Sequence, residues 1–384
     1  MDYDVVVVGA GPSGSTAARE CAKRGLKTLL LEKEVLPRYK ACGGGVTQKA
    51  EKALGFKLPD DIIHREVREF RMYYGGGYLK HESSDKLVSM TDRGEFDSYL
   101  VEKAVEEGVE LRDNAPVTEV NNMGGYCIVK TCDNEFKTPI VVGGDGVRSI
   151  VAERVRPFYR PDEVILAYET EIPLKKSIID ERGHLAETHL DCECMGYGWV
   201  FPKREHLSVG MGGVMNRFKN SRIVFERYVQ QLDLDLGDSR VHAHMIPIGN
   251  DKRKTVSDRT ILVGDAAGFV EPFTGEGIYY AILSGRLATD TIVHAYERNE
   301  FSEETLREYE EECIKEFCDE FRRGLKAMKA FFMLRPLSVR ILFSDNAFVE
   351  HFARIQTGEE TYKEFKKWVL PRVPYFLIKS LLPQ

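Results

Sequence analysis

The chain has no run approaching the roughly 18 uncharged apolar residues that a membrane span needs, so it reads as one that does not cross a bilayer. It has no excess of positive charge either: 54 Lys and Arg against 61 Asp and Glu leave a net charge of −7. That is the wrong sign for a nucleic-acid partner, which needs a basic footprint. Met1-Asp2-Tyr3 supplies no basic start, and the apolar residues that follow fit a short strand rather than a secretion signal. The expected location is the cytoplasm. The eight cysteines lack the paired CxxC spacing of a zinc site. In a long cytosolic chain most of them read as small buried thiols, and no metal is expected. Cys192-Glu193-Cys194 and Cys313 with Cys318 have no His or Cys partners close in sequence and receive no assigned role. Internal repeats and low-complexity linkers are also missing.

What remains is an ordinary globular composition, 43% hydrophobic and 30% charged, over 384 residues. That length is enough for two or three domains with a sizeable core. Tyr3–Ala10 is a continuous apolar run, the pattern of a central strand in a parallel sheet. Residues 14–24 read as a helix stopped at Gly25, and 26–32 as a second buried strand. Residues 35–50 read as a glycine-rich loop, 96–108 as a helix, and 163–214 as strands with one covered face. A buried strand at 260–263 and a helix at 277–295 follow, then a charged helical stretch over 303–334. The spacing predicts an α/β protein. A Rossmann-like dinucleotide-binding domain (residues 1–155 and 255–298) is interrupted by an antiparallel β-sheet substrate domain (156–254) and followed by C-terminal helices (299–384).

Three glycine-and-acid motifs carry the chemistry: GAGPSG at 9–14, GGDG at 143–146 and GDAAG at 264–268. Gly9 permits a tight turn, Gly11 lets backbone approach a pyrophosphate, and Gly14 lets the helix pack on the strand. Ala10 and Ser13 complete the loop. The free N–H groups and dipole of the helix start favour an anion. Glu32, ending the second strand, suits a ribose diol and repels a 2′-phosphate. Asp265 at a strand end suits a polyol, and the helix beginning at Gly277 and Ile278 can present its positive end to a ring edge. Arg148 after GGDG, and Arg93 before a helix, read locally as solvated charges. Cys42, inside Ala41-Cys42-Gly43-Gly44-Gly45, is either a ligand contact and proton source or a filler in a crowded loop. Tyr197, Trp199 and Phe201 alternate and so share one face of a strand. They form either an aromatic wall for a long apolar substrate or part of a core.

The three motifs resemble those of the p-hydroxybenzoate hydroxylase superfamily, an FAD-binding group. KACGGGV at 40–46 and YxWxFP at 197–202 resemble the geranylgeranyl reductases within it, notably the archaeal digeranylgeranylglycerophospholipid reductases. The resemblance spans about residues 1–300. It implies FAD as cofactor and saturation of C=C bonds in geranylgeranyl chains of archaeal ether lipids by hydride from reduced flavin N5. By matching positions it implies that Ser13 and Glu32 hold the pyrophosphate and ribose, and that Arg93 and the Val117 backbone contact the adenine side. It places Cys42, Gly43 and Gly45 along the flavin, Asp265, Gly277 and Ile278 at the ribityl chain and ring edge, and Tyr197, Trp199 and Phe201 along a prenyl tunnel. Cys194 stands where the family block often has proline. The rival expectation is a flavin monooxygenase of the same fold.

The implied partners are a prenylated ether lipid and an electron donor, ferredoxin or NAD(P)H. Residues 365–384 mix Trp368, Phe376, Leu377, Leu381 and Leu382 with basic residues. They either lie in the interface of the inner membrane face or pack on the protein, and Pro371, Pro374 and Pro383 preclude one long helix.

Overall fold

The computed structural model describes residues 1–192 and 195–380. Its first layer is a six-stranded sheet ordered Val256–Ser257, Thr260–Leu262, Ile140–Gly143, Val5–Val8, Thr28–Leu31 and Glu110–Arg112. All neighbours run parallel except the first pair. The central strand, Val-Val-Val-Val, is fully covered: helix Pro12–Lys23 packs against it, and the three-stranded sheet of Val117–Asn122, Cys127–Thr131 and Glu135–Thr138 adds Val120, Val129 and Phe136 to the same core. Helices Pro12–Lys23 and Ile278–Arg298 cover one face together. They approach so closely that a Cβ on Gly285 would stand 2.6 Å from the Ser13 carbonyl oxygen.

The second layer is a seven-stranded sheet, and it differs from the expectation in two ways. It recruits the hairpin Glu69–Tyr74 and Gly77–Glu82 from within the stretch assigned to the first domain. Its strand Leu185–His189 runs parallel to Glu69–Tyr74, so the sheet is mixed. The hairpin closes because Gly75 and Gly76 adopt φ of +60° and +81°, which side chains resist. Its alternation and glycine turn were readable locally, but its distant partner strand was not.

Residues 35–50 are less loop-like than expected. Gly45–Thr47 forms a strand and Gln48–Leu54 a helix, because Thr47 Oγ1 accepts the Ala50 N–H and caps it. The helix expected at 96 begins at Arg93, since Asp92 accepts the Gly94 and Glu95 N–H groups. Beyond Ile278–Arg298 come helices Glu303–Cys313, Asp319–Met333, Arg335–Phe343, Ala347–Thr357, Tyr362–Val369 and Val373–Ser380. A π-turn, Ile314–Cys318, joins the first two and buries Cys318. No helix among the described residues is long and apolar enough to cross a membrane. Of the tail's expected interfacial residues, Trp368 and Phe376 pack on the protein. The ring centroids of Trp368 and His351 lie 3.9 Å apart with the rings tilted, and Phe376, 1% exposed, packs on Phe348 and Trp368. Aromatic pairing inside the fold outcompetes exposure. Glu193, Cys194, Leu381, Leu382 and Pro383 lie outside the described residues.

Candidate active site

One cavity of about 1100 Å³ runs between the two sheets and on into the C-terminal helices. That exceeds the usual range of a small-molecule pocket and leaves room for a dinucleotide and a second long molecule. Of the residues singled out from sequence, Gly9, Gly11, Ser13, Glu32, Cys42, Gly43, Gly45, Arg93, Val117, Tyr197, Trp199, Phe201, Asp265, Gly277 and Ile278 all line it. Ala10 and Gly14 stand behind it.

The glycine cradle follows from sterics. Gly9 has φ of +95°, and a Cβ on Gly14 would meet the Gly9 carbonyl oxygen at 1.9 Å. The side of Gly11, by contrast, faces open space, with Arg38 Nη2 the nearest atom at 3.9 Å. Helix Pro12–Lys23 starts with no side-chain cap and no acidic residue in its first turn. Its N–H groups and dipole therefore remain available to an anion. Glu32, 4% exposed, accepts the Ala10 N–H at 2.8 Å and the Glu34 N–H at 3.2 Å, with Arg38 Nε 3.5 Å away. Asp145 of the second motif is occupied structurally. It accepts the Ser149 hydroxyl at 2.5 Å and the Ile150 N–H at 2.8 Å, so it braces its turn rather than pairing with Arg148.

At the third motif, Asp265 is half-buried at the cavity wall, and desolvation raises its pKa while Lys40 and Arg93 pull it back down. The 21-residue helix Ile278–Arg298 has no side-chain cap at Gly277, so its positive end is presented to the cavity. A Cβ on Gly277 would lie 3.6 Å from Asp265 Oδ1.

Arg93 is not a solvated charge. Its guanidinium forks onto Asp97 at 2.8 and 2.9 Å and also faces the Cys42 thiol. Asp97, fully buried, takes Arg38 Nη2 at 3.0 Å as well. The glycine loop is pinned by groups that sequence reading passed over. Tyr39 donates to Glu169 at 2.7 Å and packs, tilted, on His242, and Lys40 donates to His244 at 2.5 Å. Lys203, only 3% exposed, donates to the Gly43 carbonyl at 2.7 Å and the Thr91 carbonyl at 2.6 Å. Burial lowers the pKa of Lys203 and brings that of Lys40 down to about 8. His242-Ala-His244 alternates on one strand, the single local signal that could have exposed part of this cluster.

Tyr197, Trp199 and Phe201 do share a face, with successive ring centroids 6.4 Å apart. A Cβ on Gly43 would stand 2.8 Å from the Phe201 ring, so the glycine loop lies flat on this wall. The neighbouring strand makes room for it: a Cβ on Gly210 would fall 2.0 Å from the Trp199 indole. The Tyr197 hydroxyl donates to the Thr274 carbonyl. Thr274 is in turn held by Glu271, whose Oε2 accepts the Phe273 N–H at 3.0 Å and the Thr274 hydroxyl at 2.7 Å.

Past the wall the cavity turns apolar. Phe273, Met328, Phe331, Phe332, Phe352 and Phe365 line this arm, most of them from the C-terminal helices. Phe273 packs edge-on to Phe331 at 5.8 Å and Phe352 at 6.2 Å. Sequence reading missed this contribution because an amphipathic helix has the same periodicity whether it faces a core or a cavity.

Comparison with known proteins agrees with this geometry. Residues 2–317 match the FAD binding domain family. The chain is 32% identical to the digeranylgeranylglycerophospholipid reductase of Methanocaldococcus jannaschii, covering 80% of this chain and 81% of that one. It is 30% identical to the chloroplastic geranylgeranyl diphosphate reductase of Nicotiana tabacum, over 94% of this chain and 80% of that one. A geranylgeranyl bacteriochlorophyll reductase-like structure from Thermoplasma acidophilum superimposes with a TM-score of 0.80 at 25% identity, over 96% and 98% of the two chains. The cofactor is FAD, and the open Gly11 approach, the uncapped helix starts, the buried Glu32 and the cavity-lining Asp265 all fit it.

Proposed function

Because the chain belongs to the geranylgeranyl reductase family of FAD-binding proteins, we propose that it is an FAD-dependent oxidoreductase saturating C=C bonds in the geranylgeranyl chains of ether phospholipids. One observation carries this reading: a single cavity joins a dinucleotide cradle, a thiol and an aromatic-lined apolar arm. Reduced FAD, when bound, supplies a hydride.

The chain's own residues do the rest. The N–H groups at Gly9–Gly14, including Ala10 and Ser13, hold the pyrophosphate. Glu32 exchanges its backbone partners for the ribose diol and Val117 flanks the adenine half, whereas Arg93, beside Cys42, stands at the flavin end. Asp265 takes the ribityl hydroxyls. The uncapped start at Gly277 and Ile278 faces the ring edge and stabilises negative charge there. Gly43 and Gly45 let the loop press on Phe201 and Val88, which sets its backbone along the cavity for a flat ring.

An isolated alkene accepts hydride poorly, so a proton must reach the second carbon as the first receives hydride. The Tyr197 hydroxyl is committed to the Thr274 carbonyl, and burial raises its pKa. Cys42 is the better donor. Its sulfur accepts the Gly44 N–H at 3.4 Å, and the Arg93 guanidinium it faces stabilises the thiolate left behind. A proton from water then restores the thiol. Tyr197, Trp199 and Phe201 hold the prenyl chain and exclude water from the reacting bond. The electrons come from ferredoxin or NAD(P)H.

Multiple-turnover assays with dithionite in the absence of oxygen test this, using digeranylgeranyl glycerophospholipid as substrate. The reading requires lipid gaining hydrogen pairs. Lipid unchanged without oxygen, but gaining oxygen once air is admitted, would replace it with a monooxygenase. Cys42→Ser should keep its flavin and lose at least about tenfold in turnover. Unchanged turnover would remove Cys42 from the mechanism.

A further inference from the structure

The C-terminal helices carry a charge balance opposite to the rest of the chain. Residues 326–384 hold ten Lys and Arg against five Asp and Glu, in a protein of net charge −7. Lys326, Lys329, Arg340, Lys363, Lys366 and Lys367 are exposed, and none forms an ion pair among the described residues. The same helices expose large apolar side chains: Met333 is 79% exposed, Leu334 52%, Leu370 56% and Ile378 66%, with Leu337 and Tyr375 also outward. Within each helix a cation shares a side with an exposed apolar residue three or four positions away: Lys329 with Met333, Arg340 with Leu337, and Lys366 and Lys367 with Leu370, and Arg335–Phe343 packs against both Val373–Ser380 and Asp319–Met333.

This face is thin. Phe332 lines the cavity and Met333 beside it is exposed. Ser338 lines it and Leu337 is exposed, and Val369 lines it and Leu370 is exposed. At three separate points one step along the chain leads from the wall of the apolar arm to the surface. Exposed apolar side chains ringed by unpaired cations are poorly suited to water and well suited to an anionic lipid surface. There the apolar groups enter the acyl boundary and the lysines meet phosphate headgroups.

We infer that the face formed by Met333, Leu334, Leu337, Leu370, Tyr375 and Ile378, with its surrounding lysines and arginines, docks on an anionic bilayer and sets the apolar arm against the acyl layer. The surface rests on the prenyl-lipid reading for its purpose, but its binding is measurable apart from turnover. A lipid tail can then pass from bilayer to cavity without crossing water. The occupant is a membrane rather than a second copy of this chain, because a face carrying six unpaired cations would repel its own like.

The test is co-sedimentation of the flavin-loaded full chain with vesicles of phosphatidylglycerol and phosphatidylcholine mixed, and of phosphatidylcholine alone. Binding should require phosphatidylglycerol and weaken with salt. Each cation brought to such a surface strengthens binding roughly fivefold, so K363Q/K366Q/K367Q should lose on the order of 100-fold. L334S/L337S should lose at least about tenfold by removing buried apolar area. Both variants should keep their flavin spectrum and their turnover of detergent-dispersed lipid, which shows that they fold. Wild-type vesicle binding by both variants would overturn the proposal. So would binding that ignores lipid charge. Self-association that L334S/L337S abolishes, with no vesicle binding, would assign the face to a second copy and also overturn it. Turnover in detergent without vesicle binding rejects the surface and leaves the reductase reading intact. Vesicle binding without turnover supports the surface and rejects that reading.

Discussion

Lys40 donates to His244 Nε2 at 2.5 Å across the gap between the glycine loop and the edge strand of the large sheet. The two residues are 204 positions apart in sequence. This bond, with Tyr39 on Glu169 and His242, fixes the loop that carries Cys42 against the substrate-side sheet. It also requires His244 to be neutral, since only the unprotonated nitrogen accepts.

That requirement has a pH signature. Burial, followed by the neighbouring Lys40 and Arg93 charges, pushes the His244 pKa down to about 3. Between that value and the ordinary 6.5, the unfolded chain binds the proton and the folded chain does not. Stability from this residue is therefore present above pH 6.5 and is lost as pH falls. Melting curves of flavin-free wild type and His244→Asn should shift by about 2 kcal/mol in favour of the variant between pH 6.5 and pH 5. A gap independent of pH would contradict the assignment.

Gly14→Ala should abolish flavin retention. The added methyl would stand 1.9 Å from the Gly9 carbonyl oxygen, a contact only a shifted helix can relieve. Such a shift moves the N–H groups away from the pyrophosphate. Gly43→Ala should be milder, because its methyl meets the edge of the Phe201 ring at 2.8 Å, and a ring can tilt. The ratio of flavin absorbance to protein in the purified variants reads both.

Lys203→Met should lower stability by about 2 kcal/mol by leaving the Gly43 and Thr91 carbonyls without their donor in a buried place. Denaturant titration measures this. Because Gly43 lines the cavity, weaker flavin binding should accompany the loss.

Phe331→Trp tests the apolar arm. Phe331 lines the cavity and packs on Phe273, so a larger ring there should shorten the space for a chain. Turnover of a full geranylgeranyl lipid should fall at least about tenfold, while a short prenyl substrate is reduced at the wild-type rate and the flavin content is unchanged. Equal loss for both lengths would mean that the arm does not hold the chain.

The nucleotide-binding part of this molecule is legible in its sequence because its determinants are local. A buried strand, a glycine turn, a helix and an acid at 32 occupy consecutive positions, and their spacing reflects one set of close contacts, such as that of Gly14 with Gly9. The aromatic face at 197–201 is legible for the same reason, since strand alternation alone puts its three rings together. Lys40 with His244, Lys203 with Thr91, and the hairpin 69–82 with strand Leu185–His189 depend on pairings between remote segments that no local pattern encodes. Arg93 reads in isolation as a surface charge. Asp97, one helical turn on, is a local partner, but only folding brings Cys42 to it.

The most direct measurement is an anaerobic single turnover. Fully reduced, flavin-loaded protein is mixed with digeranylgeranyl glycerophospholipid, and the flavin spectrum and lipid mass are followed together. The account predicts that the oxidised flavin spectrum returns in step with one hydrogen pair gained by the lipid per flavin. Flavin that stays reduced while the lipid mass stays unchanged would contradict it.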